Sequence, residues 1–226
     1  MTSAETGTGT ATKSGSRRVS RARAERYHQR EQLILETAFK LLQPGPRQTI
    51  SVTEILNETG LSTRAFYRQF ESRDELILQM CRTEFAKMTI RLAKAVGGAA
   101  TPRKALEAWI DEALSVAYDQ RRARRAMILS SPDAHAAEGF RVIAAEGLAA
   151  QRQLLAEVIA AGKAKGDFPL AEPDDDARAI QAIVNDLTAA RLNGEPGPPR
   201  DRARQHLVGV FTRAFGSEKS SPRRHP

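Results

Sequence analysis

Apolar residues recur along this chain at three- and four-residue spacing, and no stretch of alternating β-branched residues is long enough for a strand. The expected class is therefore all-α, with about nine helices. Ile34, Leu35, Ala38, Leu41 and Leu42 mark a first helix over about 24–43, which Pro44-Gly45-Pro46 ends. Ser51-Val-Thr-Glu54 reads as a capping box opening a short helix to about 58. Thr59-Gly60-Leu61 is a tight turn, and Ser62 caps a second short helix to about 70. Ser72-Arg-Asp-Glu75 is a further capping box, opening a long helix to about 96.

Gly97-Gly98 interrupts the pattern, and Thr101-Pro102 starts a helix to about 119. A basic helix over 121–129 stops at Ser130-Ser131-Pro132, and one Ala-rich helix is expected over 133–165. Pro173 and three acids at 174–176 open the next, with acidic side chains at the positive end of the helix dipole. A Gly/Pro-rich loop over 193–199 precedes the last, over about 200–215. The organisation expected is a flexible basic arm (1–22), a small three-helix unit (23–75), a larger helical unit (76–216) and a flexible tail (217–226).

Composition narrows the function. The formal net charge of +8 points toward an acidic partner, nucleic acid first. It is unevenly placed: residues 12–30 hold seven basic side chains against Glu25, and 76–199 balance at sixteen of each sign. No apolar run is long enough for a membrane span, and no apolar leader opens the chain, so a cytoplasmic setting is expected. The lone Cys81 permits no intrachain disulfide or cysteine zinc site, and a buried structural thiol is its expected role. His28, His135, His206 and His225 lack metal spacing, and phosphate-cradling loops and nucleophile elbows are missing. An enzyme is not expected, nor is a cofactor or metal.

The two short helices around Gly60 have the length and turn of a helix-turn-helix, whose second helix enters the DNA major groove. Phe66 and Phe70 lie four apart and face inward, while Thr63, Arg64, Tyr67 and Arg68 share the opposite face. Guanidinium groups there can read guanine edges or hold phosphates, and the hydroxyls suit phosphate oxygens. Ser51 and Arg73 open the flanking helices, where free amides also point at anions. A generic three-helix bundle with a polar surface is the alternative.

The order Ile34-Leu-x-x-Ala38, Thr49-Ile-Ser-Val-x-x-Ile55, Gly60-Leu-Ser-x-x-x-Phe-Tyr67-x-x-Phe70 and Ser72-Arg-x-Glu-Leu76 resembles the tetracycline-repressor (TetR) family of bacterial transcriptional regulators. The resemblance covers about residues 27–80. It implies that Tyr67 binds phosphate and that Arg73 is the basic residue opening the fourth helix. It also puts the base-reading face on Thr63, Arg64 and Arg68, and the cap of the second helix on Ser51. Thr63-Arg64 stands where many members have Lys-Gly, which bears on operator sequence. Leu56 stands where many have Ala, which implies a small repacking beneath the turn. The run Val158-Ile-x-x-Gly162-x-x-x-Gly166-x-Phe168 is also common in the family's C-terminal domains.

Further expectations follow from the resemblance: a homodimer on a palindromic double-stranded operator, most simply a repressor, released by an apolar or amphipathic effector. The last two helices would pair across a two-fold axis through Ile180, Ile183, Val184, Leu187, Val208, Phe211 and Phe215, some of which also cap the core of one copy. Phe85, Met88, Trp109, Tyr118, Met127 and Phe140 are the candidate effector contacts, although plain core packing is the more ordinary role for each. Arg121, Arg122, Arg124 and Arg125 can attract an anionic head group, or pair with Asp111, Glu112 or Asp119. Effector binding would shift the long helix over 73–96 and change the spacing of the two reading helices. The basic arm, Arg17–Arg26, would reach into an adjacent groove or along phosphates; a disordered solubilising tail is the alternative. A non-sensing architectural DNA-binding protein is the alternative.

Overall fold

A computed structural model describes residues 11–42 and 49–216, with side chains described from residue 21 onward. Among these residues every regular element is helical, in ten α-helices and one short 3-10 turn. The chain divides into two compact units. One comprises the chain to Leu41 together with Ile50–Arg73; the other contains everything from Asp74 onward.

The first unit is built from α1 (Ala11–Leu41), α2 (Val52–Thr59) and α3 (Thr63–Tyr67). α1 corrects the sequence expectation. A flexible arm is expected through residue 22, yet residues 11–22 continue the helix. The reason is local: the segment contains no proline, and Ala11, Lys13, Arg17, Arg18, Arg21 and Ala22 are good helix formers that lead directly into the helix-forming run after it, despite Gly15 and three serines. Residues 1–10 lie outside the described residues, as do the Pro44-Gly45-Pro46 stop and the tail over 217–226. On the C-terminal half of α1, Ile34, Leu35, Ala38 and Phe39 are buried, as are Ile55, Phe66 and Phe70 of the same unit.

The second unit carries α4 (Arg73–Gly97) from Asp74 onward. It continues with α5 (Pro102–Tyr118), α6 (Gln120–Ala126), α7 (Pro132–Ala136), α8 (Phe140–Ala164), α9 (Pro173–Leu192) and α10 (Arg200–Ala214). A 3-10 turn over Met127–Ser130 follows α6. The helix expected over 133–165 is divided: Gly139 takes φ 92°, a left-handed conformation that ends α7 and lets α8 start afresh. α5 is the hub of this unit, packing on α8, α9 and α10, while α8 also packs along α9. Leu106, Trp109, Ile110, Leu114, Leu155, Ile159, Phe168, Ile180 and Phe215 lie in its core.

The Gly162–Phe168 run acquires a physical meaning. Gly166 turns at φ 78°. The chain then folds back so that the amides of Asp167 and Phe168 donate to the Gly162 carbonyl, at 2.9 and 3.2 Å. The Phe168 ring lies directly over Gly162: a Cβ there would stand 2.0 Å from Cδ2. Only glycine admits that approach.

Candidate nucleic-acid interface

α3 is positioned by short-range chemistry. Ser51, extended at φ −98° and ψ 120°, accepts a hydrogen bond from the Glu54 amide at 3.3 Å and caps α2. At the other end Gly60 adopts φ 66°, and its amide donates to the Leu56 carbonyl at 2.9 Å. A residue with a Cβ is disfavoured in that conformation. The Thr59 hydroxyl donates to the Ile55 carbonyl at 2.7 Å. Two residues beyond the glycine, Ser62 accepts from the Ala65 amide at 3.2 Å and starts α3. Both predicted caps and the predicted turn are formed, which fixes the direction in which α3 leaves the turn.

The two faces of α3 separate as the spacing predicts. Ala65, Phe66 and Phe70 are buried, and Thr63, Arg64, Tyr67 and Arg68 are exposed. Phe66 and Phe70 stack with ring centroids 5.7 Å apart. The edge-to-face packing of Tyr67 on Phe66, at 5.3 Å, anchors the base of its ring. Half of Tyr67 is nonetheless open to solvent (51%). A phenol held at its root and free at its hydroxyl is suited to a phosphate oxygen.

Arg73 is half-buried, and its Nε donates to the Ile50 carbonyl at 2.7 Å, so it ties the start of α4 to the residue before the Ser51 cap. Lys40 of α1 bonds Glu58 of α2 through an exposed ion pair, which holds the Glu58 carboxyl below its usual range. In this unit Arg21, Arg23 and Arg26 of α1 are exposed. Arg21 lies 3.9 Å from Glu25, a weak solvated pair.

In the second unit the structure sorts the predicted effector contacts into two groups. Met88 and Trp109 line a small cavity together with Arg91, Leu92, Glu112, Ala113, Val116, Gln151, Val184, Asn185 and Thr188. Phe85, Tyr118, Met127 and Phe140 are not on its wall. Phe85 is buried over Gly147 of α8. Tyr118 donates to the Pro198 carbonyl at 2.7 Å and carries the Arg191 guanidinium over its ring at 4.6 Å. Met127 is buried, and Phe140 stacks on His135 at 4.9 Å.

The predicted dimer residues also divide. Ile180, Val184, Phe211 and Phe215 are buried in the core of one copy, because α9 and α10 turn these positions toward the unit's other helices. That removes them as surface candidates. Ile183 is exposed, and Leu187 and Val208 are partly so.

Sequence reasoning missed an ionic cluster in the same unit. Glu84, 1% exposed on its side chain, pairs with Arg125 Nε at 3.1 Å and Arg91 Nη2 at 3.6 Å. Arg91 Nε and Arg122 Nη1 reach Glu112 Oε1 at 3.1 and 2.8 Å, and Arg122 also bonds the Ser115 hydroxyl. Thus Arg122 and Arg125 are tied into the protein, while Arg121 and Arg124 are exposed or nearly so. Asp119 caps α6 by accepting from the Arg122 and Arg121 amides at 3.0 and 2.9 Å, which lowers its pKa. The available signal was Glu84 itself, a charge in line with the apolar stripe of Met80, Cys81, Phe85 and Leu92 on α4.

Comparison with known proteins agrees with this geometry. Residues 34–80 match the sequence profile described as bacterial regulatory proteins, tetR family. An uncharacterized HTH-type transcriptional regulator of Bacillus subtilis (strain 168), YuxN, is 35% identical over 77 residues; these are 34% of this chain and only 26% of that protein. A Pseudomonas aeruginosa PAO1 protein described as a transcriptional regulator superposes with a TM-score of 0.67 at 19% identity. That alignment takes in 82% of this chain and 91% of the other. A tetR-family regulatory protein from Rhodococcus RHA1 gives 0.60 at 18% identity, over 82% and 96%. At these identities the two structures speak for the fold. No helix among the described residues is long and apolar enough to cross a membrane. With a capped helix-turn-helix, the family profile lying across it, and a fold shared over four-fifths of its length, residues 34–80 carry the DNA-binding helix-turn-helix of bacterial regulatory proteins of the tetR family, within a chain of the same fold.

Proposed function

We propose that this chain is a dimeric repressor that reads a palindromic operator through Thr63, Arg64, Tyr67 and Arg68 and leaves it when an effector binds the second unit. The observation that carries the reading is the exposed polar face of α3, set behind the Gly60 turn and between two formed caps. Arg64 and Arg68 supply guanine readout or phosphate clamps, and Tyr67 and Thr63 supply phosphate contacts. Ser51 acts by capping α2, whose first-turn amides are then aligned for phosphate, and Arg73 acts chiefly by holding that entry in place.

Pairing of two copies is supported by the outer face of α9, where Ala179, Ala182, Ile183 and Leu187 recur at helical spacing and are exposed or half-exposed. Two half-sites read together multiply a modest single-helix affinity. The N-terminal part of α1 adds exposed Arg21, Arg23 and Arg26 as sequence-independent phosphate contacts.

Gel shifts against DNA flanking the gene, with unrelated DNA as competitor, test the reading. Specific retention that falls at least tenfold in Arg64→Ala and Tyr67→Phe is expected. Removing residues 1–22 should weaken retention and flatten its salt dependence. Indifferent binding to all DNA would instead identify an architectural protein.

A further inference from the structure

The cavity beside Trp109 is polar in a way that core packing does not explain. Gln151 is 4% exposed and lines it, and its Nε2 has no hydrogen-bond partner among the described residues. Thr188 Oγ1 and Arg91 Nη2, on two other helices lining the same cavity, are also buried without a hydrogen bond. Arg91 Nη2 faces Glu84 Oε1 at 3.6 Å, an ion pair beyond hydrogen-bond reach, and that oxygen is itself buried without a hydrogen bond. Buried polar groups without partners are rare, and the Gln151 amide and Thr188 hydroxyl, which have none, indicate an acceptor missing from the cavity.

The charges favour an anion. The surrounding cluster sets Arg91, Arg122 and Arg125 against Glu84 and Glu112. Glu112 also lines the cavity, but its charge is already shared between two guanidinium groups on Oε1, which leaves it a weaker partner for an ammonium ligand. The remaining wall is apolar: Leu92, Trp109, Val116 and Val184.

We propose that this cavity binds a carboxylate, and that the effector carries one on a short apolar body. This deepens the reading of the second unit as an effector site and rests on it. Arg91, Gln151 and Thr188 donate to the two carboxylate oxygens, and the body lies against Trp109 and Val184. The free volume, ≈ 30 Å³, admits about two waters and so suits the head group. Half-buried, unbranched Met88 yields to admit the body.

The test uses the full chain without DNA, at ionic strength held constant with chloride. Acetate, butyrate, hexanoate and benzoate are titrated beside their primary amides, and binding is followed by calorimetry and by thermal melting on Trp109 fluorescence. At least one carboxylate should bind saturably and raise Tm by several degrees while its amide does not. Thr188→Val and Gln151→Met, each checked for a cooperative melt, should weaken that binding at least tenfold. If neither variant folds, Thr188→Ser should bind as the parent does and Thr188→Ala at least tenfold more weakly.

Three results would overturn the proposal: no carboxylate binds, an amide binds as well as its acid, or the variants bind unchanged. The cavity would then be an ordered-water site. Because no DNA is present, such a failure leaves operator recognition standing. Loss of specific gel shifts, conversely, would leave carboxylate binding intact.

Discussion

Replacing Gly162 with alanine should destabilise the second unit, although the position lies within a helix where alanine is intrinsically better. The helical gain is at most about 1 kcal/mol, and less this close to the end of α8. Against it stands a Cβ placed 2.0 Å from Phe168 Cδ2, 2.4 Å from Cε2 and 2.9 Å from Cγ. Ordinary contact requires the ring to retreat by about 1.5 Å, and the ring has nowhere to go. Phe168 is fully buried, stacked on Phe215 with centroids 5.2 Å apart, and its amide is bonded to the Gly162 carbonyl. Overpacking of this kind costs about 1–3 kcal/mol, approaching the ~3–5 kcal/mol of a lost phenylalanine if the ring is expelled. The net expectation is a loss of about 1–3 kcal/mol.

Trp109 is the single tryptophan and lies in the same core, so urea denaturation followed by its fluorescence reports this unit directly. Protein concentration must be held fixed, because association would shift the midpoint. A double-mutant cycle sharpens the test. In a Phe168→Ala background the obstruction is gone, and Gly162→Ala should turn neutral or stabilising. Gly97→Ala, at a helical glycine with nothing within 4 Å of its Cβ position, serves as the control and should not destabilise. If Gly162→Ala leaves the midpoint unchanged, or costs the same in both backgrounds, the close approach is not what this glycine is for.

Other consequences are quickly checked. Ser62→Ala removes the cap of α3 and should cost the first unit about 1 kcal/mol, with Ser62→Asn, which restores an acceptor, losing little; equal losses would show that the side-chain acceptor is not the cap. Lys40 bonds Glu58 and depresses its pKa, so this pair's contribution is present above the ordinary carboxylate pKa and lost as pH falls through the lower folded value. NMR titration should therefore find the Glu58 midpoint rising toward the usual range in Lys40→Met, and an unmoved midpoint would dismiss the pair. Burial raises the Cys81 thiol to about 12, so a thiol reagent at pH 8 should label the unfolded chain and spare the native one; rapid native labelling would contradict that burial.

The first unit was legible because its determinants are local. Ser51 and Ser62 each act three residues away, Gly60 acts on the turn it occupies, and the faces of α3 follow from helical spacing alone. The errors there were of extent. Helix propensity through residues 11–22 outweighed the low-complexity composition that suggested a flexible arm. The second unit was legible as helices and much less as surfaces. An amphipathic stripe shows which residues avoid water but not what covers them. Thus Ile180, Val184, Phe211 and Phe215 proved to be core of one copy, while Ile183 on the same helix as Ile180 remained exposed.

Charge shows where reading by segments fails. Residues 76–199 balance at sixteen acids and sixteen bases, which suggests nothing beyond a solvated surface. Folding gathers five of these charges into one partly buried network whose members come from α4, α5 and α6, with Glu84 and Arg125 separated by 41 residues. Burying Glu84 is tolerable only because two guanidinium groups accompany it, and such a group is disfavoured wherever the next charge is unpaired. The network therefore fixes both the packing of α4 against its neighbours and the preferred sign of what enters beside Arg91. α4 begins at Arg73, six residues after the end of α3, and supplies Met88, Arg91 and Leu92 to the cavity wall. An acceptor drawn to Arg91 would act on the helix that opens with Arg73 and lines this cavity.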